Sequence, residues 1–409
     1  MIRVSALALS AIVLLQAPQP TFKSSSELVE IDAVVLDHSG NFVPGLTADQ
    51  ITLSENGKPQ KISQFFLVTH DEMAADGSGF VSGGGRQEGA HRVFVMLFDE
   101  AHLSNDSLQR VKEGAADFVR EMFSAGDAGG VFLAGGMYKG RLTVDKAELL
   151  GGIRAVQPAF ENRQAILAPF RSWPRISSEV EALQITDGAH EVVERLAAAA
   201  CQEDRNACQG EGGISNVENQ IQQKARLYIR QARRMTAATI QGLERVANGL
   251  AHIPGRKTVV MMTEGFFVED VRGQVETVAA HAARSGITIY SIDGRGLTNH
   301  MAQNPDVTMM ERARPAAFDT GEDGPTILTE GTGGFMVRGI DDIKRAFGLI
   351  VRDTSTYYVI GYQPDNANMD GKVRKIQVKT SLPGVKVRAR KSYAATKLPP
   401  QEAIWSFTK

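Results

Sequence analysis

The chain has 409 residues, 43% of them hydrophobic, and its 45 basic and 47 acidic side chains give a formal net charge of −2. That length holds two or three domains, and that apolar content supplies real cores, which excludes a largely disordered chain. The even charge balance argues against a nucleic-acid-binding protein, which would carry a basic stripe.

Residues 1–20 read as an export signal. Met1, Ile2 and Arg3 give a short basic start, and residues 4–15 are an almost pure apolar run. The run matches the length of a signal core and is too short to span a bilayer. Ala17 is a suitable last residue before cleavage, although Leu15 is large for its position. A retained anchor or a buried helix is the alternative. No later segment is apolar enough to span a membrane, and no lipid-attachment cysteine follows. The expected location is the periplasm, the cell surface or the medium.

Residues 21–70 read as β hairpins. Val29, Ile31, Ala33 and Val35 alternate with outward positions, and Asn56-Gly57 between apolar strands marks a tight turn. So few residues bury no core alone, so the segment needs a partner. Residues 71–90 are polar and glycine-rich, a flexible linker.

From 91 to 352 the pattern is α/β. Residues 93–98 form a short, unbroken apolar run ending at Asp99, the look of a central parallel strand with a functional group at its carboxyl end. A helix follows over about 105–123, then a buried strand at 129–134, an edge strand at 138–143 and a helix from 145 to about 156. Strands are also expected at 257–263, 287–292 and 334–337, with helices at 272–285 and 340–351. Residues 299–325 read as irregular.

A helical insertion, 158–235, interrupts this rhythm. Residues 187–200 form a helix with Asp187 as its cap, and 3–4 spacings from Val217 to Leu250 make one helix of about 50 Å. Cys201 and Cys208 lie between the two helices. In an exported chain such a pair reads as a disulfide clamping a helical hairpin, with free thiols as the alternative. His190 is the one histidine close in sequence, so zinc is not expected. The long helix bears Lys224, Arg226, Arg230, Arg233 and Arg234. A protruding hairpin with Arg226, Arg230, Arg233 and Arg234 on it suits contact with another protein.

Residues 353–395 return to β, with strands at 357–362, 373–379 and 385–390. Their expected partner is the N-terminal segment, in one β-sandwich-like module flanking the α/β domain.

The tetrad Asp99-Glu100-Ala101-His102 also spells the acidic box of a helicase. That reading requires a G-x-x-x-x-G-K-[ST] phosphate cradle. The nearest stretch, Gly255-Arg256-Lys257-Thr258, has Arg between Gly and Lys, and Leu250 where the first glycine belongs. Without a cradle, Asp99 and Glu100 have no nucleotide to act on. HExxH, G-x-S-x-G and a dinucleotide fingerprint are all missing from the sequence. His102 reads as a surface loop histidine, and Asp293 as an ordinary strand-to-loop turn. A hydrolase using Asp99, Glu100 and His102 remains the alternative from another class.

Several stretches resemble the bacterial von Willebrand factor A-related proteins: VVLDHSGNFVPGLTADQITLSENGKPQKISQF, RVFVMLFDEAHLS, LTVDKAELL, GRKTVVMMTEGFF, GITIYSIDGRGL and YYVIGYQPDNANMDGKVRKIQVKTSLPGVKVRARKSY. The resemblance covers most of residues 28–395 and is weakest across 158–215. It implies a doubly wound, mostly parallel, Rossmann-like sheet that binds at the carboxyl ends of its strands. It also implies a metal site in which the first strand ends in Asp-x-Ser-x-Ser, joined by a Thr from a second loop and an Asp after a later strand. Asp99 matches the first acid. Ala101 and Leu103 replace the serines, Ser104 is one place late, and Glu264 stands where the last Asp belongs. The threonine loop is not visible near residues 153–157. The expected metal site is therefore a degenerate one of Asp99, Glu264 and Ser104, with no cofactor or weakly bound Mg²⁺. The expected function is non-enzymatic protein binding outside the cytoplasm, as an adhesion or scaffold protein, with a metal-independent assembly factor as a variant.

Overall fold

A computed structural model describes residues 28–70, 92–134, 136–159, 165, 169–170, 172–266, 268, 271–296, 321, 323–399 and 407–408. The expected export signal and glycine-rich linker lie outside these residues.

The centre is an eight-stranded, mostly parallel sheet. Its strands are β5 (Val93–Phe98), β6 (Ala128–Leu133), β7 (Gly136–Met137), β8 (Leu142–Thr143), β9 (Lys257–Thr263), β10 (Ile287–Asp293), β11 (Met336–Val337) and β16 (Phe407–Thr408). They lie in the order β11-β10-β9-β5-β6-β8-β16, with β7 paired to β6. The strands β11, β10, β9, β5 and β6 run parallel, while β8 is antiparallel to β6. All six residues of β5 are buried, because helices cover both faces and every side chain must be apolar.

The helices over the sheet are α1 (Asn105–Glu121), α2 (Lys146–Ala155), α5 (Gly213–Leu250), α6 (Arg272–Arg284), α7 (Asp323–Thr332) and α8 (Ile343–Ser355). One face carries α1, α2 and α8, packed through Phe118, Ile153 and Phe347 on Phe94 and Met96. The other carries the second half of α5 with α6 and α7, through Leu243, Val278 and Leu328 on Val95 and Met261. From β5 the chain steps to β6 on one side; it later returns to β9 on the other side and moves on to β10. The strand order thus reverses between β5 and β9, and it is beyond the strand ends at such a reversal that open α/β sheets bind ligands.

Two antiparallel sheets join distant parts of the chain. They comprise β1 (Val29–Leu36), β2 (Ile51–Glu55), β3 (Lys58–Gln60), β4 (Ile62–Thr69), β12 (Thr356–Tyr362), β13 (Val373–Thr380), β14 (Lys386–Ala389) and β15 (Ser392–Ala394). The orders are β14-β1-β12-β4 and β15-β13-β2-β3. Ile31, Val35, Leu53, Ile360 and Ile376 share one apolar core between them. The β2–β3 turn uses Asn56 (φ 49) and Gly57 (φ 80), the left-handed pair a two-residue hairpin requires. Within the core, Tyr362 and Tyr393 both donate to Oε2 of buried Glu55, at 2.7 and 2.9 Å.

The insertion differs from a lone protruding hairpin. An additional helix, α3 (Glu179–Thr186), packs with α4 (His190–Glu203) and the first half of α5. Phe170, Ile185, Val193, Leu196, Ile221 and Tyr228 form a core of their own. Asp187 terminates α3 and does not cap α4, whose N-cap is Ala189. Cys201 and Cys208 form the disulfide between α4 and α5, with Cα atoms 5.6 Å apart. The expected edge strand over 138–143 divides into β7, a tight turn and β8. The helix α7, within and beyond the stretch read as irregular, and the short strands β15 and β16 are additions to the expected set.

Candidate functional site

At the reversal point stands Asp99. This residue follows β5 and is 5% exposed. Its backbone N–H donates to the Met262 carbonyl at 3.0 Å, which keeps it in line with β9. Its carbonyl accepts the N–H of His102 at 2.9 Å, closing a tight turn that folds the imidazole back over the carboxylate. His102 Nδ1 lies 3.0 Å from both carboxylate oxygens. An imidazole nitrogen facing an acid carries the proton and donates.

Two hydroxyls complete the shell. Thr263, the last residue of β9, donates from Oγ1 to Asp99 Oδ2 at 2.8 Å and accepts the Gly265 N–H at 2.9 Å. Thr239 of α5 donates to Asp99 Oδ1 at 2.8 Å. Burial works to raise the Asp99 pKa. The attraction of His102 and the hydrogen bonds from His102, Thr239 and Thr263 outweigh it, holding the carboxyl below its ordinary range.

Glu264 latches the loop above. Its backbone N–H donates to the His102 carbonyl at 3.2 Å, and its Oε1 accepts the Ser104 N–H at 2.9 Å. Ser104 is the N-cap of α1, its Oγ accepting the Ser107 N–H at 3.3 Å. Gly265 follows at φ +91°, and a Cβ there would sit 2.2 Å from the Gly321 carbonyl oxygen. Glycine is required because the two backbones meet.

Of the three residues expected to hold a metal, Ser104 and Glu264 meet through one hydrogen bond, while the Asp99 carboxylate is bonded to His102, Thr239 and Thr263. Both Asp99 oxygens hold three donors, Ser104 Oγ caps a helix, and Glu264 Oε1 holds a backbone amide. Mg²⁺ demands near-octahedral oxygen ligands and dehydrates reluctantly. This donor set does not fit it: an imidazole stands against the acid where a cation would. Among the described residues no group of three or more His, Cys, Asp or Glu is placed to hold a metal ion.

His102 is 3% exposed, which corrects its reading as a surface loop residue. Its turn is covered by the insertion: Ala101 packs against the core that contains Met235, and Phe266 lies 5.6 Å from the imidazole ring. Glu100 does not join the cluster of hydrogen bonds. It is half-buried, and burial is the main cause raising its pKa, with the charge of Asp99 adding to it. Asp293, at the end of β10, is held by Arg295 at 2.7 Å. Thr239 is the residue that sequence reasoning missed. The resemblance implies a threonine from a loop near 153–157, whereas the hydroxyl arrives from a long helix, where it counts only as one small residue of the apolar stripe.

The outer side of the insertion carries the basic residues. Arg226, Arg230, Arg233 and Arg234 are exposed. Lys224 does not belong with them: its ammonium donates to the carbonyls of Pro169, Ser172, Trp173 and Pro174 at 3.0–3.2 Å and so fastens the loop before α3.

Neither protein-family models nor curated proteins give a match to this chain. What fold and site define together is a mixed α/β protein with a mostly parallel sheet, two antiparallel sheets and a disulfide-closed helical insertion. Among the described residues no helix is long and apolar enough to cross a membrane.

Proposed function

We propose that the protein is a non-enzymatic, metal-independent binding module of the von Willebrand factor A-related type, acting as a scaffold or assembly factor outside the cytoplasm. The observation that carries this reading is the saturation of Asp99. The resemblance of the β5 and β9 segments to that family places an acid at the first strand end, and the strand order reverses beside it. In this chain the acid is satisfied internally by His102, Thr239 and Thr263. Recognition then rests on protein surface around the rim and on the insertion, with no cation shared with a partner. The disulfide supports an oxidising compartment and hence export.

The hydrolase alternative draws less support from this geometry. The Thr239 hydroxyl donates to Asp99 and is directed away from the role of a nucleophile activated by His102.

Thermal melts in EDTA, Mg²⁺, Mn²⁺ and Ca²⁺ test the reading. Superimposable melts, with no turnover on a panel of ester, peptide and phosphate substrates, are expected. Turnover that disappears in His102→Ala would replace this reading with the enzymatic one.

A further inference from the structure

The outward face of α5 has a composition the fold does not need. Gln223, Arg226, Leu227, Arg230, Arg233 and Arg234 fall within one stripe about a third of the helix circumference wide, and the arginines run about 12 Å along it. Between Glu218 and Glu244 the helix contains no acidic residue. Arg230 and Arg234 make no ion pair among the described residues, and Arg226 reaches only the Gln222 side chain, at 3.3 Å. Like charges at i and i+4 oppose the helix that carries them. Two arginines on other parts of the insertion are neutralised: Arg195 meets Glu181 and Arg175 meets Glu203, both at 2.8 Å. Leu227 lies amid the arginines and is 43% exposed, one of few large apolar side chains so placed among the described residues.

We infer that this stripe is a docking surface for an acidic protein segment, one that brings several carboxylates around a single apolar side chain. The inference rests on the binding reading given above and names the partner's chemistry. Guanidinium groups pair with carboxylates through two parallel hydrogen bonds, and arginine is among the residues enriched at interface hot spots. The helix is rigid from both sides. Its inner face is seated in the core of the insertion through Ile221, Ala225 and Tyr228, and Thr239 ties it to Asp99. The arginine backbone positions are therefore fixed before a partner arrives, which limits the ordering cost of binding. A lipid surface is disfavoured because membrane-surface helices present a broad apolar face, and here that face is turned inward.

The test uses the full-length chain and a synthetic fifteen-residue peptide with glutamates at i and i+4 around one central leucine. A glutamine-for-glutamate peptide, heparin and phosphatidylglycerol vesicles serve as comparisons. Fluorescence anisotropy should show salt-sensitive binding of the acidic peptide alone. Binding should weaken at least about tenfold in Arg230→Glu/Arg234→Glu and several-fold in Leu227→Ala. Melting temperature reports folding: the charge-reversal variant should melt no lower than wild type, since reversal at 230 turns repulsion with Arg226 and Arg233 into attraction while the 230/234 pair stays like-charged as before. Equal binding of the acidic peptide by wild type and the charge-reversal variant would overturn the inference, as would no binding by wild type or preference for heparin or vesicles. If a partner isolated from the native envelope binds both proteins equally, the stripe is refuted and the binding reading survives. If no protein partner is retained by wild type at all, the binding reading itself fails.

Discussion

Two buried aspartates sit toward opposite ends of the same sheet and solve the same problem with different chemistry. Asp99, at the carboxyl ends of the strands, is held by two hydroxyls and an imidazole. Asp353, near the end of α8 and on the amino-terminal side of the sheet, is held by Tyr290 at 2.5 Å, by Arg388 and, at 3.8 Å, by Arg256. Arg256 also reaches Asp32 of β1 at 3.6 Å and lies 4.3 Å above the Tyr357 ring. The Asp353 cluster thus pins the antiparallel sheets to the parallel one with permanently charged groups. The Asp99 cluster ties α5, through Thr239, to the ends of β5 and β9, and does so with two hydroxyls and an imidazole. The first joins two large bodies of structure. The second sets the shape of a rim.

That difference predicts unequal costs. Asp353→Ala leaves buried Arg256 with Asp32 as its one acid and half-buried Arg388 with none among the described residues, and should destabilise by about 3–5 kcal/mol, read by chemical denaturation. Asp99→Ala leaves an imidazole and two hydroxyls unsatisfied and should cost about 2–4 kcal/mol. Its effect should concentrate around Thr239, where hydrogen exchange ought to accelerate along the middle of α5 and into the insertion. Equal exchange throughout the molecule would erase the distinction between the two clusters. Reducing Cys201–Cys208 should cost about 2–3 kcal/mol by freeing a short loop, again within the insertion.

The two clusters should also separate by pH. His70, half-buried beside Arg92 and Arg256, is pushed down to about 4 by burial and then by those two guanidinium groups. It stays neutral in the fold while the unfolded chain takes up a proton below about 6.5. Stability is therefore lost as pH falls from about 6.5 towards 4, by about 1–2 kcal/mol after allowing for partial exposure. His70→Phe should flatten that limb of the profile. Asp99 acts lower. Its contribution is complete above the unfolded value of about 3.9 and disappears as pH falls below it towards the depressed native value. Asp99→Asn should remove only that acid limb.

The core of this architecture was legible because its signals are local. Continuous apolar runs mark β5, β9 and β10, 3–4 spacing marks α5, and Asn56-Gly57 marks the β2–β3 hairpin. The helix α7 escaped notice because Gly324, Pro325 and Gly331 break its apolar period. The short helix α3 carries too few turns for a period to emerge. At the site, Asp99 was visible as the acid ending a strand. The burial of His102 was not, since a polar tetrad after a strand ordinarily faces water and only the insertion covers it. The Thr239 contact spans 140 residues and leaves no local mark.

Titrating Mg²⁺ into the purified protein by isothermal calorimetry, alongside Asp99→Ala, tests the central claim most directly. An internally satisfied Asp99 predicts no saturable heat from either protein. Stoichiometric binding by wild type that vanishes in Asp99→Ala would contradict it.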